Sequence, residues 1–199
     1  MKKTAQGPKS AKQSRRVSED QYYLNIAREV AARSTCLRRK FGAVIVQNKQ
    51  IISTGYCGAP RGTANCSDIG ECLRNQLGAK KGEHYEWCRS VHGEANAIIH
   101  ASRLDMIGST LYLVGLETMT NEVVADAEPC RMCKRMIINA GIECVVIQLG
   151  QEKIRRIKVA DSLTPPQSNF IGAPNDFGPD GCAGCAGCAT GPFSAGAGV

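Results

Sequence analysis

Two stretches decide the fold. They are Val91-His92-Gly93-Glu94-Ala95-Asn96-Ala97-Ile98-Ile99 and Pro129-Cys130-Arg131-Met132-Cys133-Lys134-Arg135-Met136-Ile137-Ile138-Asn139-Ala140-Gly141-Ile142. Each opens a predicted helix after a strand or loop. The first opens with a histidine, the second with a Cys-x-x-Cys pair that begins 38 residues after His92. Pro129 presets the first turn, and the positive end of a helix favours thiolate over thiol. Cys-x-x-Cys at a helix start turns both sulfurs toward one ion, so two helix starts that meet supply three ligands: His92, Cys130 and Cys133. Three protein ligands and an open fourth position characterise a catalytic zinc rather than a structural one. Zinc in such a place lowers the pKa of water from about 15.7 to about 7. Glu94, two residues past the histidine, is placed to move the protons.

Working outward, residues 19–34 place Tyr23, Ile26, Ala27, Val30 and Ala31 on one helical face, behind a Ser18 suited to cap the start. Residues 41–46 and 51–54 are short, β-branched runs separated by Gln47-Asn48-Lys49-Gln50, the pattern of a hairpin. Residues 55–89 are rich in Gly, Cys and charge, too long for an idle loop, and call for an anchor. Beyond them, residues 94–104 read as helix, 110–114 as strand, 130–140 as helix and 143–149 as strand. The order α-β-β-α-β-α-β predicts parallel neighbours joined by helical crossovers in the second half, and a sheet covered on both faces. Ile154, Ile157 and Val159 predict a fifth strand, which is antiparallel because residues 150–153 leave no room for a crossover helix. The class is α/β, a three-layer α-β-α arrangement around a mixed sheet of four to five strands.

The 199 residues fit one domain with appendages. A body of roughly 150 residues buries ~70% of its unfolded surface and holds together without disulfide staples. The eleven cysteines therefore read as metal ligands, reactive groups or small buried apolar residues. No apolar run approaches the ~18 residues of a membrane span, and no continuous apolar segment follows the basic N-terminus. A soluble, cytoplasmic protein with no membrane partner is expected. Lys2, Lys3, Lys9, Lys12, Arg15 and Arg16 all precede the first acid, Glu19, and carry nearly all of the net charge of +7. The body is close to neutral, so a broad nucleic-acid-binding face is not indicated. Residues 1–18 are expected to be a disordered basic arm, 19–162 the catalytic domain, and 163–199, with Pro165-Pro166 and a Gly/Ala/Cys tract, a flexible tail. Cys182, Cys185 and Cys188 begin like an iron–sulfur run, but Pro192 stands where the fourth cysteine belongs.

His-x-Glu with Pro-Cys-x-x-Cys is the zinc deaminase signature. Around it STCLRRKFGAVIV (34–46), ISTGYCGAPRG (52–62), EHYEWCRSVHGEANAII (83–99) and EPCRMCKRMIINAGI (128–142) follow in order. On these blocks the chain resembles the deoxycytidylate deaminase family, within the cytidine deaminase-like fold, over about residues 19–150. The resemblance implies zinc-dependent hydrolysis of the 4-amino group of dCMP, giving dUMP and ammonia, in a homo-oligomer whose partner is a small nucleotide. It implies that Glu94 takes the proton of water, passes it to N3 and protonates the leaving amine. Gly93, Asn96, Cys57 and Arg61 fall on the substrate side, and Arg38, Arg39 and Arg89 are further phosphate candidates. It also implies a second, structural zinc drawn from Cys36, Cys66, Cys72, Cys88 and His84, which would anchor the long loop. Two departures lie toward substrate: Cys57 stands where the family commonly has Asn, and residues 115–128 are inserted before the Pro-Cys-x-x-Cys helix. They keep two alternatives in view, a deaminase of another cytosine or purine nucleotide or of an RNA base, and a non-catalytic zinc-binding interaction protein. The intact Glu94 argues against the second.

Overall fold

A computed structural model describes residues 16–162 apart from Lys81 and Glu152. The expected tail, and the expected arm up to residue 15, lie outside the described residues.

Helix α1 (Glu19–Ala32) starts where expected, with the Ser18 hydroxyl accepting the Gln21 N–H at 3.2 Å and two acids in the first turn. It buries Tyr23, Leu24, Ala27 and Ala31. Leu24 sits just off the predicted stripe, while Ile26 and Val30 are only partly covered. Strands β1 (Arg39–Gln47) and β2 (Gln50–Tyr56) form the predicted hairpin, each longer than predicted. Asn48 and Lys49 both take positive φ (50° and 64°), the tight two-residue turn that matches strand twist.

The long loop holds two short helices, α2 (Cys66–Ile69) and α3 (Leu73–Gln76), and a 3₁₀ turn at Tyr85–Trp87. The helix predicted over 94–104 is two pieces, α4 (Gly93–Ile99) and α5 (Arg103–Met106). Ser102 explains the break, because its hydroxyl accepts the Leu104 N–H at 3.3 Å and caps a new helix instead of continuing the old one. Strand β3 (Thr110–Glu117), helix α6 (Arg131–Ala140) and strands β4 (Cys144–Gln148) and β5 (Ile154–Lys158) complete the order.

The sheet runs β2-β1-β3-β4-β5. β3 and β4 are the parallel pair joined by the α6 crossover, and β5 is antiparallel to β4, as expected. Strand alternation divides the core. Ala43, Ile45, Leu111, Leu113, Val145 and Ile147 pack with Ala97 and Ile137 of α4 and α6. Val44, Val46, Tyr112, Val114 and Val146 pack with Tyr23, Leu24 and Ala27 of α1. The mixed sheet thus lies between two helical layers, as the sequence predicts.

Glycine sets the depth of the helix carrying the site. A Cβ at Gly55 would lie 2.2 Å from both the Ala97 nitrogen and the Gly93 carbonyl oxygen, so α4 rests on β2 backbone to backbone. Gly42 does the same for α1, where a Cβ would come within 2.2 Å of the Ala27 carbonyl.

Candidate active site and metal centre

The two helix starts meet. His92 and Cys130 are the extended residues that precede α4 and α6, and Cys133 lies in the first turn of α6. His92 Nδ1 stands 3.3 Å from Cys130 Sγ and 3.5 Å from Cys133 Sγ. All three ligand atoms lie within 4.8 Å of one another. Zinc bonds of about 2.3 Å to sulfur and about 2.05 Å to nitrogen, at tetrahedral angles, set the two donors roughly 3.5 Å apart. The donor set therefore fits zinc in both chemistry and spacing. Among the described residues no second set of His, Cys, Asp or Glu converges as closely.

Glu94 enters from the first turn of α4 and is 3% exposed. Burial pushes its carboxyl above the usual carboxylate range, against the pull of the neighbouring His92. That is the direction a proton carrier near neutrality requires. In the ligand set, burial disfavours the His92 cation, but hydrogen bonds to Cys130 and Cys88 outweigh it and His92 is pushed up to about 10. The Cys130 sulfur, hydrogen-bonded by Cys133 and His92, is drawn down to about 4, and Cys133 is pushed up by the same pairing.

A cavity of about 830 Å³ opens on this set, and His92, Glu94 and Cys130 lie in its wall. That volume suits a small-molecule ligand. Of the residues expected on the substrate side, Cys57 lines the cavity, fully buried, its thiol bonded by the Gly93 backbone and pushed up by burial. The Asn96 amide instead donates to the Tyr56 carbonyl at 2.7 Å and ties α4 to β2. Arg61 is held by His100, Nη2 to Nε2 at 2.8 Å, and is not among the cavity residues. The inserted residues lengthen β3 and turn back at Asn121 so that Leu116 and Val123 bridge, with Val124 and Ala127 entering the core. Their Glu117, Asp126 and Glu128 line the cavity, and Glu117 and Asp126 pair with Arg39 at 3.0 and 3.6 Å.

Cys36, Cys66, Cys72 and Cys88 line the same cavity, and the charges of the other three bear on Cys66. His84 is not among the cavity residues. Its ring stacks on Trp87 at 3.8 Å, and its Nδ1 meets Glu86 at 2.9 Å. Two cavity residues escaped the sequence reading. Tyr85 packs edge-on to His92 at 5.1 Å, and Arg74 lies with its guanidinium carbon 4.4 Å over the Tyr85 ring. Nothing in the spacing around either marks it.

The family described as the cytidine and deoxycytidylate deaminase zinc-binding region matches residues 17–149. The chain belongs to this family. The His92, Cys130 and Cys133 of its zinc deaminase signature converge here, and the chain is a zinc-dependent hydrolytic deaminase. The deoxycytidylate deaminase of Mycobacterium phage D29 is 42% identical over 132 residues, covering 64% of this chain and 91% of that one. The deoxycytidylate deaminase of Schizosaccharomyces pombe is 34% identical over 131 residues, 66% of this chain and 37% of that one. That of Saccharomyces cerevisiae is 34% identical over 165 residues, 80% of this chain and 47% of that one. The chain thus spans nearly all of the phage relative and less than half of the two yeast ones. Among solved structures, the apo dCMP deaminase of cyanophage S-TIM5 aligns with a TM-score of 0.45 at 24% identity, over 65% of this chain and 81% of that one.

Proposed function

We propose that this enzyme converts dCMP and water to dUMP and ammonia. The observation that carries the reading is the buried Glu94 carboxyl beside the His92, Cys130 and Cys133 donors in the wall of one nucleotide-sized cavity. The match along nearly the whole of a phage deoxycytidylate deaminase supports dCMP as substrate. Zinc held by His92, Cys130 and Cys133 would supply Lewis acidity, the property that makes water a competent nucleophile near neutral pH. Glu94, with its raised affinity for protons, takes one proton from water and delivers it to N3, then takes the second proton from the hydroxyl now on C4 and passes it to the departing amine, so that the C4–N bond breaks as C4–O becomes a carbonyl. The water oxygen ends on C4 and the nitrogen leaves as ammonia. Ultraviolet-monitored deamination of dCMP by zinc-loaded protein tests this, with Glu94→Ala as the control. Turnover that disappears in the variant is expected. No turnover with zinc bound would overturn the dCMP reading and turn attention to other nucleotides and RNA bases, where the altered Cys57 and residues 115–128 would matter.

The same reading includes a second zinc among Cys36, Cys66, Cys72 and Cys88, supported by the four thiols sharing one cavity. Metal analysis giving two zinc per chain, reduced to one in Cys66→Ser, is the expected result. It includes residues 19–162 as the zinc deaminase domain, a homo-oligomer in solution and a cytoplasmic location. The eight described cysteines are free thiols, which suits a reducing compartment. Among the described residues no helix is long and apolar enough to cross a membrane.

A further inference from the structure

Building on the dCMP reading, we propose that Arg74 selects the 5′-phosphate and so makes this a deaminase of nucleotides rather than nucleosides. Arg74 is 7% exposed and lines the same cavity as Glu94 and Cys130. Its Nη2 donates to the Lys80 and Glu83 carbonyls at 3.2 and 2.6 Å. Its buried Nε has no hydrogen-bond partner among the described residues, and no described carboxylate forms an ion pair with it. Glu86 feels its charge, but that carboxylate is engaged by His84 at 2.9 Å. A buried charge ordinarily has a counter-charge. The charge of Arg74 also bears on the Cys88 thiol, but no described carboxylate pairs with it, and in the wall of a ligand-sized cavity the guanidinium is placed to meet an anion that the ligand brings. Its planar fork suits the oxygens of a phosphate monoester.

Position agrees with charge. The guanidinium carbon lies 4.4 Å over the Tyr85 ring, and Tyr85 lies 5.1 Å edge-on from the His92 ring. Two ring contacts therefore separate the cation from a zinc ligand, within the span of one mononucleotide whose base addresses the metal. The other arginines are less suited. Arg39 is neutralised by Glu117 and Asp126, and Arg61 is held by His100 away from the cavity. Arg38 and Arg89 line the cavity but are more exposed, each with a single long carbonyl contact at 3.5 and 3.3 Å.

The test compares kcat/KM for dCMP and for deoxycytidine in wild type, Arg74→Gln and Arg74→Lys. In Arg74→Gln the ratio of the two should fall on the order of 100-fold, the size of loss expected when one partner of a buried charge pair is truncated. Arg74→Lys, which keeps the charge, should restore part of it. Equal losses on both substrates would mean that Arg74 only holds the loop through Lys80 and Glu83, and would overturn the proposal. Calorimetric binding of dUMP against deoxyuridine reads the same preference without turnover. Wild type should prefer dUMP and Arg74→Gln should not; an unchanged preference in the variant, or none in wild type, would overturn the proposal. A protein inactive on both cytosine substrates would remove the dCMP reading, while product binding would still decide the role of Arg74.

Discussion

In the proposed reaction Glu94 and the three metal donors divide the labour, and single substitutions should separate them. Glu94→Gln removes the proton carrier but none of the donors to zinc. Turnover should fall by roughly 10²–10⁴, with zinc content by atomic absorption unchanged; loss of zinc would mean that Glu94 acts through the metal site instead. Cys133→Ser removes a buried donor and should lower zinc content and activity together. That these four side chains meet was legible in the sequence, because spacing encodes it. His-x-Glu and Cys-x-x-Cys at helix starts state which atoms can meet. Arg74 was not legible, because its meaning lies in its burial and in the absence of a described carboxylate partner, and neither has a periodicity. Asn96 and Arg61 show the reverse: their residue types suit a substrate, but a backbone carbonyl and a histidine hold them elsewhere.

At the scale of elements, the site depends on how deeply α4 rests on the sheet. Gly55→Ala places a methyl group 2.2 Å from backbone atoms of α4, which cannot yield as a flexible side chain would. A stability loss of about 3 kcal/mol is expected from overpacking, with a further loss of kcat in the folded fraction because His92 and Glu94 move with the helix. Gly42→Ala is the matched comparison. It presses equally on α1, which carries none of the site residues, so denaturant melts should show a similar loss while the folded fraction keeps its kcat. Equal kcat losses in both would show that the position of α4 is not what matters. Helix α2 is tied to pH through Asp68. Asn65 caps α2, with Asp68 accepting from the Asn65 N–H at 3.0 Å, and this bond holds the Asp68 carboxyl below its ordinary value of 3.8. A lowered folded pKa contributes stability above the unfolded value and loses it as pH falls through the folded one. Asp68→Ala should therefore speed amide exchange at residues 66–70 at pH 7. The difference from wild type should vanish below the lowered pKa.

Across the whole molecule, periodicity settles which face each strand buries, and so the three layers were legible: Ala43 and Ile45 alternate with Val44 and Val46. It does not settle neighbours. β3 lies antiparallel beside β1 rather than beside β2, where chain order alone would set it, because adjacency depends on long-range packing that no local pattern carries. The same architecture governs what metal removal does. Zinc would join α4 to α6, two helices already packed on one face of the sheet through Ala97 and Ile137, while α1 has its own core on the other face. Both cores should persist without the ion, unlike a small zinc domain whose folding is the binding event. Chelation should therefore leave the far-ultraviolet dichroism near its native value at 25 °C and lower the Tm. The reversible part of that loss is the linkage term, about 4 kcal/mol when free zinc stands a thousandfold above its dissociation constant. Cys133→Ser should show the lower Tm without added chelator and respond to it less. A chelated protein that loses its dichroism at 25 °C would mean that the two faces of the sheet do not hold the fold by themselves, and that the metal centre is part of the core.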